Sequence, residues 1–129
     1  MAVYRDLYPA GQHAEQALPE ERKAILERVA TQPLLNRMLR GIAALRATDR
    51  VTWGNPVLHT FDVQVKDDRA TLHDCQDTSR TGQANAKTGE RLIHGKSRTH
   101  LVATLLRGVD GAWRISTLEQ VNEPCSPAA

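Results

Sequence analysis

The stretch ATLHDCQDTSR, residues 70–80, alternates between apolar and polar side chains as a half-buried β-strand does. Ala70, Leu72 and Asp74 fall on one face, and the apolar pair assigns that face to the protein interior. Cys75 then points to the opposite face. The stretch therefore predicts a strand of an amphipathic sheet with one carboxylate turned inward.

Further strands flank this one on both sides. Residues 57–65 alternate in the same way, and the segments 99–107 (THLVATLLR) and 112–121 (AWRISTLEQV) read as two strands joined by a tight VDG turn. The polar stretch 80–98 contains three glycines and predicts a long hairpin connection, with a short strand at 91–94. We expect a curved antiparallel sheet of about four strands.

The chain ahead of these strands has a helical period. PEERKAILERVA (19–30) begins with the proline and acidic residues that suit a helix N-terminus. QPLLNRMLRGIAALRATDR (32–50) is the strongest helix, and residues 1–18 predict either one helix or two turns broken around Pro9 and Gly11. Helices followed by antiparallel strands indicate an α+β fold, with the helices packed on one face of the sheet and a concavity between them for a small ligand.

Length and charge narrow the class of protein. A chain of 129 residues with a net charge of +2 predicts a single domain, 1–129, with an N-terminal helix in 1–18 and a tail at 122–129. The balanced charge does not fit a nucleic-acid binder. No apolar run approaches the roughly 20 residues that span a bilayer, and the first residues lack the features of a signal peptide. No motif points to a cofactor.

Three short motifs carry a resemblance to a known family. ATLHDCQD (70–77), GAWRI (111–115) and Cys125, in this order, resemble the ATVxDCxD strand, the GxWxV strand and the C-terminal cysteine of a group of actinobacterial extracytoplasmic proteins. That group is part of the nuclear transport factor 2-like (cystatin-like) superfamily of cone folds. The resemblance implies a cone fold, a location outside the cytoplasm and a bridge between Cys75 and Cys125. The spacing of the two cysteines alone allows either two free thiols or one bridge.

Asp74 is the candidate for catalysis. A carboxyl group in an apolar pocket has a raised pKa and can act as a general base. The alternative is a structural carboxylate paired with Arg46, Arg98 or a backbone amide. The structural interpretation is favoured, because the pattern places no companion acid or tyrosine in the same pocket.

The remaining candidates are weaker. Trp53, together with Arg46 and Arg98, is a candidate for a ligand pocket or an interface. The histidines have no metal-binding spacing, so we expect solvated strand histidines and no metal site. A Cys75 nucleophile with His73 or His100 as its base would be abolished by a disulfide.

These observations favour a non-catalytic cone-fold domain that binds a protein partner or a small apolar ligand outside the cytoplasm. One alternative is an isomerase or dehydratase in which Asp74 moves a proton. Another is an intracellular accessory subunit of a larger complex, with a possible homodimer. We expect the protein to be secreted or membrane-anchored if a leader was trimmed, and cytoplasmic if Met1 is its natural start.

Overall fold

The computed structural model describes residues 1–126, and its helices lie in the first half of the chain. The buried residues of the first helix recur at helical spacing on one face, as they do in the last. The helices are α1 (Ala2–Gln16), a 3-10 turn (Pro19–Glu21), α2 (Arg22–Leu26) and α3 (Leu34–Ala47).

Within residues 1–126, seven strands follow and form two antiparallel sheets. The strands are β1 (Arg50–Gly54), β2 (Thr60–Lys66), β3 (Arg69–Gln76), β4 (Thr81–Asn85), β5 (Arg91–His94), β6 (Thr99–Arg107) and β7 (Trp113–Gln120). One sheet has the order β2-β3-β6-β7 and the other the order β1-β4-β5. The predicted α+β class is confirmed, and the expected four-stranded sheet is β2-β3-β6-β7, to which the second sheet adds three strands.

The hydrophobic core lies between the helices and the inner face of the larger sheet. Leu26 of α2, Leu72 of β3 and Leu105 of β6 have no exposed surface. The inner face of β3 follows the predicted alternation, since Ala70, Leu72 and Asp74 are all buried. Helices α1 and α3 both contact β1 and β7, so they cover the mouth between the two sheets.

Helix α1 resolves the two alternatives for the first residues. It runs without a break through Pro9. The proline lies on the exposed side of the helix, while Tyr4, Leu7 and Ala14 are buried on the other side. The packing of that apolar face outweighs the hydrogen bond that a proline removes.

Strands β1 and β4 were not predicted. β4 falls within the stretch that predicts a hairpin connection, because its sequence TGQAN is polar and contains glycine. Its Gly82 lies so close to the backbone of Ile93 in β5 that a Cβ atom at this position would overlap the carbonyl group. Glycine therefore marks a close approach of two strands here rather than a loop.

Residues 121–126 fold across the outer face of the four-stranded sheet. Cys125 forms a disulfide with Cys75 of β3, a sequence separation of 50 residues. The Val121 amide donates to the carbonyl group of His100 at 2.9 Å. The predicted tail, 122–129, is thus anchored over its first part, and residues 127–129 lie outside the described residues.

Candidate functional site

Asp74 is the centre of a buried hydrogen-bond network. Its side chain has no exposed surface. Its Oδ2 accepts hydrogen bonds from the Tyr4 hydroxyl at 2.6 Å and from Gln76 Nε2 at 3.1 Å, and its Oδ1 accepts one from the backbone amide of His59 at 2.8 Å. Three donors converge on the carboxylate, so its burial is compensated by hydrogen bonds.

Tyr8 extends this network away from Asp74. Its hydroxyl donates to the Tyr4 hydroxyl at 3.0 Å and accepts from Gln76 Nε2 at 2.8 Å. Desolvation by burial raises the pKa of both tyrosines above the usual value. Both hydroxyls therefore keep their protons at neutral pH, and a chain of donors leads from Tyr8 through Tyr4 to the carboxylate.

The side chains of the network come from two elements, β3 and α1, and each element contributes a pair of residues that lie on the same face. Asp74 and Gln76 are two residues apart on β3 and therefore share its inner face. Tyr4 and Tyr8 are four residues apart on α1 and share one side of that helix, with their rings in an edge-to-face contact at 5.6 Å between centroids. The packing of α1 over the sheet then brings the two pairs together.

A cavity of about 310 Å³ adjoins the network between α1, α3 and the two sheets. Asp74 does not line it, because Tyr8 and Gln76 form the wall in front of the carboxylate. Most of the exposed surface inside the cavity is apolar. Its apolar wall is formed by Leu7, Gly11, Leu34, Met38, Pro56 and Leu118.

Glu15 is a second buried carboxylate, and it does line the cavity. The residue is 7% exposed. Its Oε1 accepts the backbone amide of Thr52 at 2.7 Å, and its Oε2 accepts the hydroxyl of the same residue at 2.6 Å. Gln12, one turn earlier on α1, donates to the carbonyl group of Gly54 at 2.7 Å. These contacts fix α1 to β1 along one side of the cavity.

The other predicted site residues do not line this cavity. Arg46 donates to the carbonyl group of Arg50 at 3.2 Å, and Arg98 is exposed beyond β5. Trp53 donates its indole N–H to the carbonyl group of Ile93 at 3.0 Å, and the guanidinium of Arg91 lies 4.1 Å from its ring centroid. Their role in a pocket or interface stays a prediction.

The structural alternative for Asp74 named three partners, and one of them is present. The carboxylate accepts from a backbone amide, that of His59, whereas Arg46 and Arg98 lie elsewhere. The sequence pattern did not fix the position of any tyrosine relative to Asp74, and the structure supplies one, because Tyr4 donates to Asp74. The two residues are 70 positions apart in the chain, a distance over which periodicity carries no information on contacts.

The outer face of β3 carries a different cluster. His73 Nδ1 and His100 Nε2 lie 2.8 Å apart, and the rings of both pack against Phe61. His100 is only 7% exposed, so the expectation of a solvated histidine was wrong for this residue. The reason is the chain after β7, since His100 Nδ1 lies 2.8 Å from the carbonyl oxygen of Glu123. The disulfide removes the thiol of Cys75 from chemistry.

Asp77, which follows β3, has a structural role. Its Oδ1 accepts the backbone amide of Ser79 at 2.9 Å and the hydroxyl of the same residue at 2.7 Å. These hydrogen bonds lower the pKa of the carboxyl group below its usual range. The geometry is that of an aspartate that closes a turn.

Two classes of feature are not found among residues 1–126. They contain no group of three or more His, Cys, Asp or Glu side chains placed to hold a metal ion. Over the same range, none of the helices combines the length and apolarity needed to cross a lipid bilayer.

Comparison with known proteins identifies the fold. The chain is similar in structure to the intermembrane space region of the chloroplast protein ARC6, with a TM-score of 0.63 and 15% identity over 93% of this chain and 92% of that one. It is also similar to a ketosteroid isomerase-like protein from Erwinia carotovora atroseptica SCRI1043, with a TM-score of 0.50 and 12% identity over 92% and 96%. The protein has the nuclear transport factor 2-like cone fold. No family model matches the chain, and no curated protein matches its sequence.

The cone fold is compatible with a binding domain or with an isomerase-type domain. At these identities the similarity extends to the fold alone. The narrower resemblance to actinobacterial extracytoplasmic proteins stays a prediction, as do the protein partner and the homodimer. Sequence reasoning missed Tyr4, Tyr8, Gln76 and Glu15. The helical spacing of Tyr4, Leu7, Gly11, Ala14 and Glu15 was a signal that could have found one side of the cavity.

Proposed function

We propose that this domain binds a small, largely apolar molecule in the cavity between α1, α3 and the two sheets. One observation carries the proposal, namely a cavity of about 310 Å³ whose exposed lining is mostly apolar, with a few polar groups at its wall. Sites for small molecules have this composition, and their volumes start at roughly 300 Å³. A small ligand would be held by apolar burial and oriented by Gln12, Glu15 or Gln76.

The state of Asp74 supports binding over catalysis. A general base needs direct access to the proton that it removes, or access through one water molecule. Asp74 has no exposed surface, and its oxygens accept three hydrogen bonds from the protein. Tyr8 and Gln76 separate it from the cavity. The network thus positions the cavity wall.

A cavity-filling substitution tests the proposal. Gly11 lines the cavity on α1, and a Cβ atom at this position would first meet Met38 Cε at an ordinary contact distance of 3.7 Å. Gly11→Leu therefore places a side chain in the cavity without a backbone clash. Small neutral, cationic and anionic compounds on one cyclohexyl skeleton would be titrated into isotope-labelled protein and followed by NMR. We expect at least one of them to shift resonances of the cavity residues, and Gly11→Leu to abolish these shifts.

The matched control is Gly41→Leu. Gly41 lies on α3, where an added Cβ meets no atom within 4 Å, so the same substitution leaves the cavity open. Binding should be unchanged in this variant. If no compound at millimolar concentration shifts a cavity resonance, or if Gly11→Leu binds as the unsubstituted protein does, the proposal is wrong.

The second candidate is an isomerase-type enzyme that uses Asp74 as its acid or base. The hydroxyl chain from Tyr8 through Tyr4 favours it, because the chain connects a buried carboxylate to the cavity wall. Exchange of the α-proton of a small ketone with deuterated water, followed by NMR, measures this chemistry for any carbonyl compound that enters. Catalysed exchange that Tyr8→Phe removes would favour the enzyme. Exchange at the uncatalysed rate would favour a binding domain.

We also propose that the domain works in an oxidising compartment. The support is the disulfide between Cys75 and Cys125, since structural disulfides persist outside reducing compartments. The test is to alkylate thiols at the moment of lysis of the source cells and to measure the intact mass with and without prior reduction. Two labels added only after reduction would agree with the proposal. Two labels without reduction would contradict it and favour an intracellular subunit.

A further inference from the structure

We propose that the ligand is a small organic cation, an apolar body with a protonated amine that Glu15 holds. This inference rests on the proposed binding function and specifies the class of ligand. It follows from two carboxylates, that of Glu15, which lines the cavity, and that of Asp74, which is hydrogen-bonded to the lining residue Gln76.

Glu15 is a buried carboxylate without a cation. It is 7% exposed, and both of its hydrogen bonds come from neutral donors of Thr52. Among residues 1–126 it forms no ion pair. Arg50 lies two positions before Thr52 on β1, and its guanidinium donates to the side chain of Gln83 at 2.9 Å and not to Glu15. A buried carboxylate is stabilised strongly by an opposite charge, and each oxygen of Glu15 keeps a lone pair for one.

Asp74 adds a second carboxylate close to the cavity wall, since it accepts a hydrogen bond from the lining residue Gln76. It lies behind Tyr8 and Gln76, and within the described part of the chain it too forms no ion pair. No Lys, Arg or His is found among the described residues that line the cavity. Arg22 is buried nearby, where it donates to the Ala14 carbonyl group at 3.1 Å, but it does not line the cavity. The carboxylates at the wall therefore make the cavity more favourable for a cation than for an anion.

Gln76 presents an acceptor to the same space. Its Nε2 donates to both Tyr8 and Asp74, and this orientation is fixed because the reverse would place the amide oxygen against a carboxylate. Its Oε1 accepts no hydrogen bond from residues 1–126, yet no buried polar side-chain atom of these residues lacks a partner. Oε1 is therefore accessible, and the cavity to which Gln76 contributes is where a donor can reach it.

Three compounds that share a skeleton separate charge from shape. Cyclohexylmethylamine is cationic at neutral pH, cyclohexylmethanol is neutral and cyclohexanecarboxylate is anionic. Their dissociation constants would be measured by NMR titration of the unsubstituted protein. We expect the amine to bind roughly tenfold more tightly than the alcohol, as a charge-assisted hydrogen bond in a buried site predicts, and the carboxylate to bind more weakly than both.

The substitution Glu15→Gln tests whether the carboxylate of Glu15 causes the tighter binding of the amine. The substitution keeps the shape of the side chain and removes its charge, so the advantage of the amine over the alcohol should disappear while the alcohol binds as before. Glu20→Gln is the control, because Glu20 is exposed on the 3-10 turn and should leave all three constants unchanged. Thermal melts establish that each variant is folded. The ranking in the unsubstituted protein does not depend on them.

The outcomes distinguish this inference from the proposal on which it rests. If the alcohol or the carboxylate binds as tightly as the amine, the inference is wrong, whereas the cavity still binds small molecules. The same holds if Glu15→Gln folds and keeps the preference for the amine. If none of the three compounds shifts a cavity resonance, both the inference and the binding function fail.

Discussion

Asp74 is stable in the core because three donors meet its two oxygens. The alternation of ATLHDCQD was sufficient to place this side chain on the inner face of β3. It was not sufficient to name the donors, which come from α1, from the same strand and from the segment before β2. A local pattern fixes which way a side chain points, but long-range packing decides what it meets. The same limit applies to Glu15 and Thr52.

We expect Asp74→Asn to lower the free energy of unfolding by about 2 kcal/mol. Asparagine replaces one of the two carboxylate oxygens with an NH2 group. This NH2 faces either Tyr4 and Gln76 or the His59 amide, and at least one buried donor loses its acceptor. The neutral side chain is easier to bury, which offsets part of this loss. Urea denaturation followed by circular dichroism measures the difference.

Asp68→Asn is the matched control for this substitution. Asp68 accepts hydrogen bonds from the Arg107 guanidinium at 2.7 and 2.9 Å, but its side chain is 71% exposed. A surface ion pair contributes less than about 1 kcal/mol, so this variant should remain close to the unsubstituted protein. Equal losses in the two variants would mean that the buried network does not contribute to stability.

The strands differ in how well the sequence predicts them. β6 was predicted with its observed bounds, Thr99–Arg107, because apolar and β-branched residues dominate it. β4, Thr81–Asn85, was missed because only Thr81 and Ala84 of its side chains are buried. It exists because β1 and β5 pair with it on both sides. Pairing of this kind leaves almost no trace in the composition of a strand.

Substitutions of two glycines, one exposed on a helix and one at a close approach of two strands, test whether β4 is a paired strand. Gly41→Ala on α3 should raise the free energy of unfolding by about 1 kcal/mol, because the site is exposed, helical and open to a methyl group. Gly82→Ala on β4 should lower it by about 2 kcal/mol, because the methyl group would overlap the backbone of Ile93. Thermal and urea denaturation of both variants provide the measurement. Similar effects of the two substitutions would contradict the assignment of β4 as a paired strand.

The disulfide attaches residues 121–126 covalently to the four-stranded sheet. Cys125→Ala should lower the free energy of unfolding by about 4 kcal/mol on the chain-entropy account of a loop of this length. Ser126→Ala, at the exposed neighbouring position, is the control and should have little effect. Urea denaturation under non-reducing conditions measures both. A loss below about 1 kcal/mol for Cys125→Ala would mean that the bridge does little to constrain the unfolded chain.

The order of helices and strands in the sequence predicts the cone fold, but it does not predict which side chains lie inside the cone. Helices followed by antiparallel strands were enough to predict the α+β class and a concavity between the layers. The composition of that concavity depends on which face of α1 turns inward, and this in turn depends on the continuity of the helix through Pro9. The continuous helix turns three side chains toward the interior, namely Tyr4, Tyr8 and Glu15. The sequence left open whether residues 1–18 form one helix or two turns, and for this reason it did not predict the residues of α1 that line the site.

The tyrosines report on the integrity of the entire cone, because the chain contains only two and both belong to the Asp74 network. Burial raises the pKa of each above the usual value of about 10. The folded protein thus holds protons that the unfolded chain releases. This contribution to stability is complete below about pH 10 and is lost as the pH rises further.

In an alkaline titration we expect tyrosinate absorbance to appear only together with the loss of the helical circular dichroism signal. In denaturant, both tyrosines should titrate near pH 10, as free tyrosine does. Tyrosinate that forms near that pH while the helical signal persists would show that water reaches the tyrosine hydroxyls in the folded state, and the burial of the network would then be wrong.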